Sequence, residues 1–174
     1  MTRLPVPGPG ELRPDIEQLV AAIAPPGRDP AKTMAVLGRQ PDLLSPFLGW
    51  AAALALNGVL SNRAHELLAL RAAHNCRSDF EWVEHAEYAR AAGLTDAEID
   101  AAAQPIADHA WTEADRALLR AADELHATQN VSDESWNDLA AHYDAPALVE
   151  ILFVIGQYTM LSMFANAAGI DASP

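Results

Sequence analysis

The chain has 174 residues, with 24 Asp and Glu against 11 Lys and Arg, for a formal charge of −13. That length accommodates one domain with a sizeable core, and an apolar content of 51%, much of it Ala and Leu, excludes wholesale disorder. The acidic balance, without a cluster of basic residues, excludes a nucleic-acid partner, and a single cysteine excludes an internal disulfide or a thiol-rich zinc site.

Residues 1–14 hold four prolines and two glycines, which prevent a regular element and predict an extended arm ahead of a single domain over 15–174. The arm lacks the apolar core of a secretory signal, so a cytoplasmic location is expected. Beyond it, period-2 runs are scarce and Ala, Leu and Glu dominate, which predicts an all-α fold. Helices are expected near 15–24, 30–38, 42–57, 61–75, 79–92, 95–103, 112–128, 132–143 and 145–167.

Proline at a first helical position is expected after Asp29 and after Gln40. Thr95 with Glu98 forms a capping-box pattern, Thr112 and Ser132 are N-cap types, and Gly93 suits a C-cap. The apolar run 47–60 has the length of a core helix. The run 145–168 is long enough to cross a bilayer, but Pro146, Glu150, Gln157, Tyr158 and Asn166 interrupt it. A buried helix at a subunit interface is the expected reading, and no membrane partner.

The chemistry-bearing segment runs from Arg63 to His85. On its first helix, Arg63, Glu66, Leu70 and Ala73 share a face, and Glu66 is expected to emerge among apolar neighbours unless Arg63 or Arg71 pairs with it. On the second, Glu81, His85, Tyr88 and Ala92 form a stripe, and a carboxylate one turn before a histidine can hold its N–H. The short connection predicts that the helices pack together, so Glu66, Glu81 and His85 converge as acid–base groups. Ser78 with Glu81 is also a capping-box pattern, so Glu81 has a second reading as a helix cap. No paired Glu-x-x-His, HExxH, glycine-rich phosphate loop or GxSxG elbow is present, and no metal is expected. His126 and His142 read as surface or packing residues, and Trp50, Trp111 and Trp136 as core or interface anchors.

At this segment the chain resembles the carboxymuconolactone decarboxylase and alkylhydroperoxidase D-like (AhpD-like) family. The resemblance is carried by Glu66-Leu-Leu-Ala-Leu-Arg71, His74-Asn-Cys76, Phe80-Glu-Trp82, His85, Ala89 and Ala92-Gly-Leu-Thr95, and by Val149 to Gly169; it spans roughly residues 40 to 170. It implies an AhpD-like helical fold assembled as a homo-oligomer (trimer, hexamer or dimer), with pockets near subunit contacts. In the family's peroxidase branch a Cys-x-x-Cys pair opens the second helix, with a relay glutamate and histidine. The glutamate falls on Glu66 and the histidine on His85, whereas the two cysteine positions hold Ser78 and Glu81. Cys76, two residues earlier, is a small apolar filler or a lone redox thiol.

The decarboxylase side, which the resemblance then favours, needs no cofactor. By that analogy Glu66 and His85 move protons at an enolisable carbon while Glu81 orients His85. Arg63 or Arg71 would anchor a substrate carboxylate and Trp82 would contact the same small molecule. The expected activity is a lyase, decarboxylase or isomerase acting on a small carbonyl or carboxylate compound. The alternatives are a thiol-dependent peroxidase using Cys76 and a non-catalytic ligand-binding or assembly protein.

Overall fold

The computed structural model describes residues 2–23 and 32–172. Within them the chain forms α1 (Pro14–Ile23), α2 (Lys32–Leu37), α3 (Pro41–Leu56), α4 (Asn62–Asn75), α5 (Asp79–Ala91), α6 (Asp96–Ala101), α7 (Glu113–Thr128), α8 (Asp133–Ala140) and α9 (Ala145–Ala168), with a 3₁₀ turn at Ile106–Asp108 and no strand. The all-α expectation holds among the described residues. The proline start after Asp29, and the expected helical positions 24, 30 and 31, lie outside them.

The anticipated stop and start signals work locally. Gln40 precedes Pro41 at the start of α3, Thr95 and Glu98 make the reciprocal capping box of α6, and Thr112 and Ser132 cap α7 and α8. Gly93 follows the Ala92 C-cap with φ of 92°, a left-handed conformation that only glycine adopts freely. Helices α6 and α8 are shorter than predicted because the chain leaves them in tight turns. The Ala103 and Gln104 N–H groups close on Asp100 and Ala101, and the His142 and Tyr143 N–H groups both return to Leu139.

Helix α4 is the hub. Every residue from Leu67 to Ala73 is buried, and it packs against α5, α7 and α9 together. Leu67, Leu68, Leu70, Leu118, Leu119, Leu139, Ile151 and Val154 form the fully enclosed centre. A smaller cluster of Ile16, Val20, Ala35 and Leu44 seats α1 and α2 against α3. Residues 2–13 contain no helix; the backbone N–H groups of Arg3 and Leu4 donate to the Ala168 carbonyl, so this part lies on the end of α9.

The apolar run 47–60 departs from its expected role. Helix α3 buries only Leu44 fully, and Leu43, Trp50 and Leu56 are exposed. Trp50 stacks edge-on against the exposed Phe153 of α9, and Trp136 is exposed too, so of the three tryptophans only Trp111 is a core residue. Helix α9 has the length and hydropathy of a membrane span, yet half of its residues are buried inside the fold. Its buried Glu150 carboxylate accepts the Val59 N–H at 2.5 Å and the Leu60 N–H at 3.3 Å. The α3–α4 connection is thereby moulded onto α9. A Cβ on Gly58 would collide with the Glu150 carboxylate and stand 2.7 Å from the Leu54 carbonyl.

Candidate active site

Three residues separate α4 from α5, and their chemistry turns the chain back on itself. Cys76 caps α4, Arg77 takes a left-handed φ of 53°, and the Ser78 hydroxyl accepts the Glu81 N–H to start α5. The reciprocal half of a capping box is absent, because the Ser78 N–H donates to the Ala73 carbonyl instead. The Glu81 carboxylate is therefore not a helix cap. The hairpin places the Glu66 face of α4 against the His85 face of α5.

His85 sits between two carboxylates. Its Nδ1 lies 2.7 Å from Glu66 Oε2, and its Nε2 lies 3.6 Å from Glu81 Oε2, beyond hydrogen-bond length. The residue expected to orient His85 was Glu81; in the structure that position belongs to Glu66. With Glu66 ionised, Nδ1 carries the proton and Nε2 is the basic nitrogen facing Glu81. Glu81 is 3% exposed, and burial pushes its carboxyl up to about 7, against the downward pull of His85 and with a further push from Glu84. At neutral pH it can both give and take a proton.

Two residues that sequence reasoning did not assign complete the cluster. The Tyr158 ring of α9 packs edge-on against the His85 ring with centroids 4.4 Å apart, and its hydroxyl lies 2.8 Å from His65 Nε2. Burial holds the Tyr158 phenol well above its ordinary value, with the Glu66 and Glu81 charges adding to it, so it stays protonated. Burial lowers His65, favouring its neutral form. The available signal was the run of polar residues in an otherwise apolar helix. Tyr88, 5.6 Å from His85 and partly exposed, marks where the cluster meets the surface.

The two arginines expected to anchor a substrate are not part of this cluster. Arg63 holds Glu98 at 2.6 Å and Asp115 at 3.1 Å, and its hydrogen bond is the main reason that the Glu98 carboxyl falls to about 2. Arg71 grips Asp123 with two N–H groups, at 2.6 and 2.7 Å, and donates to the Ala102 and Gln104 carbonyls. Both guanidiniums join α4 to the α6–α7 side of the fold. Trp82 is half-buried, with its ring 6.4 Å from that of His74.

Cys76 is half-buried, with Sγ 3.9 Å from His126 Nδ1 and its carbonyl accepting from Asn166. Burial pushes the thiol up, opposed by a hydrogen bond with Thr159. An activated thiolate needs the opposite shift. Among the described residues, no group of three or more His, Cys, Asp and Glu side chains is arranged to hold a metal ion.

The sequence model of the carboxymuconolactone decarboxylase family matches residues 41–124, which include α4, α5 and all three acid–base residues. No curated protein matches the sequence. Among solved structures, the chain superposes on an AhpD-core peroxidase-related protein from Ralstonia eutropha JMP134 with a TM-score of 0.85 at 21% identity, covering 99% of this chain and 92% of that one. A peroxidase-related protein from Silicibacter sp. TM1040 gives 0.84 at 15% identity, over 98% and 91%. A variant of the debrominase Bmp8 in complex with 2,3,4-tribromopyrrole gives 0.84 at 17%, over 99% and 92%. At these identities the superpositions establish the fold. The chain thus matches the carboxymuconolactone decarboxylase family over residues 41–124 and has an AhpD-like fold, and it lacks the Cys-x-x-Cys pair.

Proposed function

We propose that the chain is a cofactor-independent acid–base enzyme, a lyase, decarboxylase or isomerase, that moves a proton at a carbon next to a carbonyl group of a small molecule. The observation that carries this reading is the imidazole of His85, 2.7 Å from Glu66 and 3.6 Å from a Glu81 carboxyl raised to about 7. In the proposed cycle Glu66 fixes the His85 tautomer, His85 Nε2 removes the proton, and Glu81 exchanges it with Nε2 and returns it. Proton transfer by positioned groups of this kind contributes roughly 10²- to 10⁴-fold.

Incubating small carbonyl compounds in D₂O with the protein tests the reading without knowledge of the natural substrate. Wild type should catalyse exchange of the C–H next to the carbonyl, and His85→Ala and Glu66→Gln should each lower the rate by about 100-fold or more. Equal rates in all three proteins would refute it. Two observations weigh against the other readings. Positions 78 and 81 carry no thiol and burial opposes ionisation of Cys76, which disfavours a thiol peroxidase. Glu66 pairs with His85 rather than with Arg63, which disfavours a site that has lost its chemistry.

The working form is proposed to be a homo-oligomer. Val149, Phe153, Met160 and Met163 form an exposed stripe down α9, continued by Trp50, and the one charged residue of that helix, Glu150, points inward. A face free of charge is where two copies of −13 repel least. Light scattering should give a multiple of the chain mass, reduced by Phe153→Lys with Met160→Lys; a monomeric wild type would refute the assembly.

A further inference from the structure

A base has to be held by atoms other than the one that takes the proton. His85 Nε2 stands 3.6 Å from Glu81 Oε2, too far for a hydrogen bond to fix the ring from that side. Glu66 secures Nδ1 at 2.7 Å, and the Tyr158 ring braces the imidazole edge-on with centroids 4.4 Å apart. Tyr88 also flanks the ring, but it is 42% exposed, whereas Tyr158 is 5% exposed and belongs to the core. Tyr158 is itself tied. Its hydroxyl lies 2.8 Å from Nε2 of His65, which is buried. Burial keeps the phenol protonated and favours neutral His65, and a hydrogen bond from the Gln157 side chain favours the ionised phenol, so it is donated to the phenol oxygen. The phenol proton therefore goes to His65 Nε2, and His65 carries its own proton on Nδ1.

We infer that His65 and Tyr158 are positioning residues for His85: the His65 imidazole anchors the Tyr158 hydroxyl, and the anchored ring keeps His85 Nε2 aimed at the Glu81 carboxyl. The inference rests on the acid–base reading for what that aim accomplishes. Consecutive residues of one helix do the holding. Positions 65 and 66 stand about 100° apart around α4, so a single turn reaches α9 through His65 and α5 through Glu66. The tie also adds no charge. The Glu66 carboxylate is felt at His65, and a cationic side chain there would compete with His85 for it; a neutral imidazole anchors the phenol without doing so. His65 acts only through Tyr158, and Tyr158 only through the His85 ring, so the two residues work as one unit.

The test combines two readouts on the full-length protein: the NMR exchange with water of the His85 Nδ1 proton, and kcat for the D₂O exchange of a small carbonyl compound. Tyr158→Phe and His65→Leu should each speed loss of the His85 proton and lower kcat by about 10-fold. The double variant should lose about the same 10-fold rather than 100-fold, because groups that act as a unit are not additive. His65→Gln, which offers an amide oxygen in the place of Nε2, should restore most of what His65→Leu loses. A contact that only joined α4 to α9 would lower urea stability and leave the His85 proton and kcat unmoved. That result in a folded Tyr158→Phe protein would overturn the inference, as would additive losses in the double variant or a His65→Gln protein no better than His65→Leu. Tyr158→Phe decides the matter even if His65→Leu does not fold. The proton readout needs no turnover: a wild type without D₂O exchange refutes the acid–base reading and leaves the hold on His85 measurable, whereas an unmoved His85 proton refutes the hold alone.

Discussion

The two faces of α4 both carry ionisable residues and put them to opposite use. On one, Arg63 closes onto Glu98 of α6 and Asp115 of α7, and Arg71 onto Asp123 of α7, at 2.6 to 3.1 Å, so each guanidinium has a carboxylate partner. On the other, His65 and Glu66 look toward α5 and α9, where they meet Tyr158 and His85 together with a buried Glu81 that no arginine neutralises. A buried carboxyl left beside an imidazole costs stability when it ionises, whereas one gripped by a guanidinium costs stability when its partner is removed. One face holds the fold together; the other is held by the fold.

Substitutions can break this contrast directly. The largest effect is expected from Arg71→Ala, which leaves Asp123 with the Asn75 amide but no guanidinium and takes a donor from the Ala102 and Gln104 carbonyls. Urea unfolding at pH 7 should show a loss of about 3 to 5 kcal/mol. Glu81→Gln should act with the opposite sign. Because the folded carboxyl keeps its proton up to about 7 while the unfolded one loses it near 4.5, the Glu81 contribution to stability falls as pH rises between those values. The variant should therefore match wild type near pH 4 and exceed it above pH 8 by about 3 kcal/mol. A destabilised Glu81→Gln at pH 8 would make the two faces alike. The smallest change is Tyr158→Phe, which keeps the ring against His85 and removes the hydroxyl from His65. It should cost about 1 kcal/mol in the same assay, and a result near zero would leave the His65 contact without weight.

Local signals were the legible part of this molecule. Thr95 and Glu98 stand three residues apart and announce their capping box, yet the same Glu98 also holds Arg63, 35 residues away, and no spacing rule reaches that far. Glu66 and His85 could be placed together because one short turn joins their helices. Ser78 and Glu81 fit a cap and an active acid equally well on paper; only the diversion of the Ser78 N–H to Ala73 separates the two. Tyr158 is 93 residues from His65. The polar residues of α9 served in sequence only to argue against a membrane span, although Gln157 and Tyr158 belong to the cluster and Glu150 acts on His65. The arginines misled for a related reason: an arginine near a site in sequence says nothing about which face of its helix has acids to meet.

The fit of Gly58 against Glu150 has a consequence for how this sequence can change. The carboxylate that a Cβ at position 58 would displace is the one that holds the Val59 and Leu60 N–H groups and whose charge reaches His65. A side chain at 58 would thus be transmitted, through one carboxylate, from a surface connection to the wall of the site. Positions 58 and 150 are therefore bound to a common history: descendants that replace this glycine must also shorten or swap the acid, and those that keep the acid must keep the glycine.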